Sequence, residues 1–333
     1  MSGAAIFGVS GGELTDWEAK FFQDVDPWGF ILFARNVETP DQVRRLTSAL
    51  RDAVGREAPI FIDQEGGRVA RMQAPHWRVW PPALDQVLSL PLTAARDSMY
   101  LRARMIAHEL RAVGIDGNCT PLGDIAQNDT HPIIFNRCYG EDVNTVTAVG
   151  RAVAEGCLDG GVLPVLKHIP GQGRADLDSH LELPRVDATR THLDQKDFAT
   201  FRALADLPLG MTAHVVFDAI DPEHCATLSS DCLSLVRQEI GFDGLLMTDD
   251  ISMRALSGPM DQRCRAALAA GCDLILHCNG EPTEMLAVAE AAGRLADTAS
   301  KRAQAALVMR KAPKAFDLAE AEAAYQEFSG AHV

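Results

Sequence analysis

Residues 29–63 read GFILFARNVETPDQVRRLTSALRDAVGREAPIFID. The run GFILFA (29–34) is short, apolar and rich in β-formers, which predicts a buried strand. Thr39-Pro40 is a helix start, and Val43, Leu46, Leu50 and Val54 follow at spacings of three and four, one apolar face of a helix. A second short apolar run, APIFID (58–63), then predicts another strand. Two buried strands joined by a helix pair in parallel through a right-handed crossover.

The same unit recurs along the chain. Strands are expected at 4–9, 29–34, 58–63, 115–122, 162–167, 209–214, 244–249 and 273–277. Helical patterns fall at 40–54, 92–114, 145–160, 190–206, 229–241 and 259–271, and over much of 283–325. Eight strand–helix units predict an α/β fold, a single-domain (β/α)8 TIM barrel. One catalytic domain over 1–333 is expected, with the helices of about 283–325 packed on its outside. The rival is an open, doubly wound sheet. It is weakened because no G-x-G-x-x-G follows the first strand.

The 333 residues are 47% hydrophobic and 23% charged, which excludes a disordered or fibrous chain. A formal net charge of −15 argues against non-specific nucleic-acid binding, which needs phosphate contacts from Lys and Arg. No apolar run is long enough for a membrane span, so no membrane insertion is expected. The opening MSGAAIFGVSGGEL has neither a basic start nor a long apolar core, so no export signal is expected. The eight cysteines include no C-x-x-C pair. Reduced thiols and a cytoplasmic location are the expectation.

In a parallel barrel the chemistry sits at the carboxyl ends of the strands. Those ends carry Asp63-Gln64-Glu65-Gly66-Gly67-Arg68, then Asp124 with Asn136-Arg137 beyond it, Lys167-His168, His214, Thr248-Asp249-Asp250 and His277. A single strand-end Asp usually caps a helix or closes a turn. Ionisable groups gathered at so many ends predict a polar ligand pocket instead. Pro170, Gly171 and Gly173 make a loop after the fifth strand. In that loop Asp178 and His180 share one side of an extended stretch, where a carboxylate can orient an imidazole for proton transfer. Asp250 is expected to cap the following turn or hold a neighbour rather than to react.

The stretches IDQEGGRVARM (62–72), TPLGDIA (120–126), NRCYGED (136–142), KHIPGQGRADLDSH (167–180) and GFDGLLMTDDISM (241–253) together resemble the bacterial β-N-acetylhexosaminidases of glycoside hydrolase family 3. The resemblance runs over nearly the whole chain. It implies a (β/α)8 barrel, Asp249 as nucleophile, and His180 as general acid/base with Asp178 as its partner. It further implies that Asp63, Arg137, Lys167 and His168 hold the hydroxyls of a terminal N-acetylglucosamine, with Arg71 near the same pocket. The implied substrate is a small muropeptide or glycoside, with no cofactor, no metal and no obligate protein partner. Gln64 and Gln172 stand where such relatives often have His, Thr248 where Ser is common, and Tyr139 where Phe is common. Three rivals remain at this point. One is a phosphorylase on the same scaffold. Another is a metal-dependent barrel hydrolase using His168, His214, Asp249 and His277. The third is a sugar-binding barrel without turnover.

Overall fold

Thr39 caps the helix that follows it, its hydroxyl accepting from the Gln42 N–H at 3.3 Å, with Pro40 in the first turn and Gly55 closing the end at φ 64°. Asp142 caps the helix Val143–Asp159 in the same way, its side chain accepting the Thr145 N–H at 2.9 Å. These local signals agree with the barrel. The computed structural model describes residues 1–178 and 181–330. Strands β1 (Gly3–Gly8), β2 (Pro27–Leu32), β3 (Ile60–Ile62), β4 (Gly117–Asn118), β5 (Leu163–Ile169), β6 (Leu209–Thr212), β7 (Leu245–Asp250) and β8 (Leu274–His277) close into one parallel barrel in chain order. β1 pairs with both β2 and β8, which seals it. An outer helix follows each strand: α1 (Asp16–Val25), α2 (Pro40–Val54), α3 (Leu92–Ala112), α4 (Val143–Asp159), α5 (190–203), α6 (230–240), α7 (Met260–Ala270) and α8 (Pro282–Ala292), with short extra helices at Ala83–Leu88 and Pro132–Phe135. The open-sheet rival is thereby excluded.

Strand boundaries differ from the expected ones for identifiable reasons. β2 ends at Leu32 because the Phe33 N–H goes to the Asn36 side chain at 2.9 Å, turning the chain out of the ladder. It begins at Pro27, which a first strand position tolerates because no ladder donor is needed there. β4 is only two residues long, against eight expected. Its Asn118 side chain accepts the Gln64 N–H at 2.9 Å and donates to the Gln64 carbonyl at 3.0 Å, so side chain replaces ladder. Pairing resumes as a bridge between Leu122 and Lys167. Helix α1 was not expected, although Thr15-Asp16-Trp17-Glu18 carries its signal. Thr15 and Glu18 form a reciprocal capping box.

Two carboxylates at the amino ends of opposite strands staple the lower rim. Asp116, just before β4, accepts the Ile60 N–H of β3 at 2.8 Å, Arg51 of α2 at 3.0 Å and Arg310 at 2.7 Å. Asp273, just before β8, accepts the Leu246 N–H of β7 at 2.9 Å, Arg237 of α6 at 2.7 Å and Arg302 at 3.1 Å. The two clusters repeat one design four units apart. Arg302 lies on α9 (Asp297–Val308) and Arg310 just beyond it, so the chain after the eighth unit runs across the closed end of the barrel. It then forms α10 (Leu318–Gly330), which packs on α3. The stretch between α9 and α10 is not helical.

Asp116→Ala removes the shared carboxylate partner of Arg51, Arg310 and Arg111 and the acceptor of the Ile60 N–H. A loss of about 3 kcal/mol is expected, the low end for breaking a buried pair because the arginines keep some water. A lowered urea midpoint with unchanged slope checks it.

Candidate active site

The carboxyl end of the barrel opens into a cavity of about 370 Å³. Its wall is set by which side chains each strand end points upward. Asp63 follows β3, Lys167 and His168 lie within β5, and Asp249 lies within β7. Arg137 comes from the segment between β4 and α4. Asp63, Arg71, Arg137, Lys167, His168 and Asp249 all line this one cavity. These are six of the eight residues singled out from the sequence. Asp178 lies at its edge, close enough for its charge to act on Arg68, another lining residue. His180 lies outside the described residues.

The floor is a lattice of buried ions. Lys167 Nζ sits 3.0 Å from Asp63 Oδ1 and 2.6 Å from Glu65 Oε1. Arg71 reaches the other Asp63 oxygen at 3.1 Å. Arg137 grips Glu65 with two parallel bonds of 2.8 and 2.9 Å, the fork geometry that suits a carboxylate. Burial by itself would raise the Asp63 carboxyl, but the Lys167 and Arg71 charges outweigh it and hold Asp63 well below the usual carboxylate range. Burial likewise opposes ionisation of Glu65, and Arg137 and Lys167 overcome it, so Glu65 falls to about 2. Burial also works against the charges of Lys167 and Arg137, yet their carboxylate partners hold both above their ordinary values. All four are charged at neutral pH.

Gln64 supports Arg71. Its carbonyl oxygen accepts the Arg71 N–H at 2.8 Å and the Met72 N–H at 3.0 Å, while its amide donates to the Met72 carbonyl at 2.8 Å. It pins the short hairpin Gln64–Gly66 and Val69–Ala70 against the site. At Gly66, with φ 111°, a β-carbon would run into the guanidinium of buried Arg102. Arg102 in turn donates to the Glu65 carbonyl and, at 2.6 Å, to Gln86.

Asp249 and Asp250 are adjacent but face different partners. Asp250 accepts the Ser252 N–H at 3.1 Å, the Ser252 hydroxyl at 2.8 Å and the Cys278 N–H at 3.2 Å, closing the turn after β7 and tying it to β8. One Asp249 oxygen accepts the Asp250 N–H at 2.8 Å. His214 lies below them. Its Nε2–H donates to the Asp250 carbonyl at 3.0 Å and its Nδ1 meets the Thr227 hydroxyl at 2.8 Å. Burial depresses its pKa, which favours the neutral ring. His277 bonds to Glu284 at 3.1 Å. The Thr248 hydroxyl accepts the Leu276 N–H at 3.0 Å.

The loop after β5 is anchored step by step. The Gln172 N–H donates to Asp124 at 2.6 Å, the Thr130 hydroxyl to the Gly173 carbonyl, the Arg174 guanidinium to Asp197 at 2.8 Å, and the His131 N–H to the Ala175 carbonyl at 2.9 Å. Gly173 is required because a β-carbon would overlap the Ile125 backbone. Beyond Ala175, Asp176 and Leu177 are exposed. Sequence reasoning placed Glu65 and Asp124 among the strand-end groups of the expected pocket but gave neither a role. Both lie in quoted motifs, but which cation each meets is decided by the fold.

Comparison with known proteins agrees with this architecture. Residues 13–309 match the glycosyl hydrolase family 3 N terminal domain. A β-hexosaminidase of Alkalilimnicola ehrlichii is 36% identical over 285 residues, spanning 84% of this chain and 81% of the relative. A family 3 β-N-acetylglucosaminidase from Paenibacillus superposes with a TM-score of 0.88 at 30% identity, over 98% of this chain and 66% of that one. NagZ from Neisseria gonorrhoeae, in complex with N-trifluoroacetyl-D-glucosamine, gives a TM-score of 0.85 at 27% identity, over 99% and 98% of the two chains. The barrel and its ionic cavity are those of a glycoside hydrolase. The chain belongs to glycosyl hydrolase family 3.

Glu65→Gln tests the ionic floor. Its depressed carboxyl contributes stability that is complete above the ordinary value of 4.5 and is lost as pH falls through about 2. The stability difference between the two proteins in urea is therefore expected to be full above pH 4.5 and to shrink between 4.5 and 2. With Arg137 and Lys167 loosened, kcat/KM is expected to fall about 100-fold, the cost of a misplacement near 1 Å.

Proposed function

We propose that this family 3 hydrolase is a retaining β-N-acetylglucosaminidase that works through a glycosyl-aspartate on Asp249. The observation that carries the reading is the position of Asp249. It sits at the mouth end of β7, lining the same cavity as the Asp63–Lys167–Glu65–Arg137 lattice. A carboxylate facing a wall of fixed hydrogen-bonding ions is what displacement at a sugar carbon needs.

In the first step an Asp249 oxygen attacks the anomeric carbon. The bond from that carbon to the leaving oxygen breaks, and His180, oriented by Asp178, gives the leaving oxygen its proton. In the second step water attacks the same carbon and passes a proton to His180, and the bond to Asp249 breaks. Two inversions give net retention. Asp63, Arg137, Lys167 and His168 hold the sugar hydroxyls, with Arg71 steadying Asp63. Their contacts tighten toward the oxocarbenium-like transition state, so binding energy is expressed in rate.

The substrate in this reading is a cell-wall fragment. Terminal N-acetylglucosamine is removed from 1,6-anhydro-N-acetylmuramic acid, with or without peptide, in cytoplasmic peptidoglycan recycling. The named functions of the relatives support the sugar. Among the described residues, no helix is long and apolar enough to cross a membrane.

Incubation with a 5-fluoro N-acetylglucosaminyl analogue, followed by peptide mass mapping, is expected to place the label on Asp249; a label elsewhere overturns the assignment. Asp249→Ala is expected to fold normally and lose at least about 10,000-fold in turnover. His180→Ala is expected to slow both steps, with activated aryl glycosides losing less in the first than glycosides with poor leaving groups. Rate ratios across a leaving-group series measure this.

A further inference from the structure

Asp124 is buried, 1% exposed, and both of its oxygens are committed. Oδ2 lies 2.7 Å from His168 Nδ1 and 3.3 Å from the His168 N–H. Oδ1 accepts the Gln172 N–H at 2.6 Å. The first pair of contacts holds a ring that lines the sugar cavity, and the last holds the root of the loop that carries Asp178 and His180.

An ionised carboxylate only accepts, so its partner nitrogen must carry a proton. Asp124 therefore fixes His168 with hydrogen on Nδ1. In the neutral ring Nε2 is then an acceptor, suited to a sugar hydroxyl donor. The same carboxylate sets where the loop leaves β5, because Gln172 is three residues beyond the strand's last residue, Ile169. No chain link of this length is independent of its anchor. A shift of Asp124 moves the sugar-side imidazole and the loop root together.

We propose that Asp124 is a positioning residue that couples the two halves of the site: it fixes the His168 tautomer for sugar binding and places the root of the acid/base loop. This rests on the function proposed above. The coupling has a recognisable consequence. Asn in place of Asp keeps the shape but offers an N–H where an acceptor stood. The amide can satisfy either His168 or Gln172 with its single oxygen, not both with the original strength. Catalysis loses on the sugar side for every substrate. It loses further for substrates whose leaving oxygen needs a proton.

The test uses the full-length chain and Asp124→Asn. First, 15N chemical shifts of the His168 ring are recorded in the unaltered protein and in the variant. The proposal expects Nδ1–H in the unaltered protein and a shift toward Nε2–H in D124N. Second, kcat and KM are measured for aryl β-N-acetylglucosaminides with an activated and with a poor leaving group. A drop in kcat/KM of about 100-fold is expected for the activated substrate, and a larger one for the poor leaving group. Nε2–H in the unaltered protein overturns the proposal without any variant having to fold. Equal losses for both leaving groups overturn the coupling, as does a lowered melting temperature with kcat/KM unchanged. If the unaltered protein hydrolyses no such glycoside, the proposed function fails, while the ring shifts still decide the role of Asp124.

Discussion

The site depends on ions held out of water. Lys167 is buried at 2% side-chain exposure between Asp63 and Glu65, and Glu65 is forked by Arg137. Desolvating four charges costs several kcal/mol per ion, and only close geometry with each partner satisfied offsets it. The lattice joins the end of β3, the middle of β5 and the segment after β4, parts of the chain up to 104 residues apart. A barrel closed in strand order brings them together, so the fold and the charge lattice support each other. In the proposed function this lattice is a fixed set of charges where a sugar ring is held, set before charge develops in the reaction.

Counting the lattice with its Arg71 neighbour gives three cations and two carboxylates. The cavity floor thus carries an excess positive charge in a chain whose net charge is −15. Asp249 lines the same cavity. In the proposed mechanism the hydroxyl-binding groups of that floor need not change protonation during the cycle. The proposed mechanism leaves the proton traffic to the loop beyond β5, whose root is held by Asp124, Thr130 and Asp197 and whose exposed stretch begins at Asp176. Static wall and separate proton carrier is a division of labour that suits a reaction with two different leaving groups in succession.

Much of the barrel was legible because each strand is a short apolar run between polar helices. The residues that moved the boundaries are those whose side chains compete with the backbone. Asn36 ends β2 by capturing a backbone N–H, and Asn118 reduces β4 to a short contact by bonding Gln64 on both sides. Helix α1 had a full capping box at Thr15 and Glu18, but it lacks a long apolar stripe to draw attention to it. The site was legible where motifs put ionisable groups at strand ends, as with Asp63, Lys167 and Asp249. Glu65 and Asp124 were placed at the pocket's strand ends but given no role, because pairing across strands sets it. Sequence spacing alone does not say that Glu65 meets Arg137 and Lys167, or that Asp124 serves both His168 and Gln172.

The most direct test of Asp249 as a sugar-bonded nucleophile is the stereochemistry of the first-formed product. Proton NMR during the opening minutes of hydrolysis of an aryl β-N-acetylglucosaminide reads the anomer before it equilibrates. Double displacement through Asp249 predicts β-N-acetylglucosamine first, with the α form growing in later by mutarotation. The α anomer appearing first would mean a single displacement by water, and the account would be wrong.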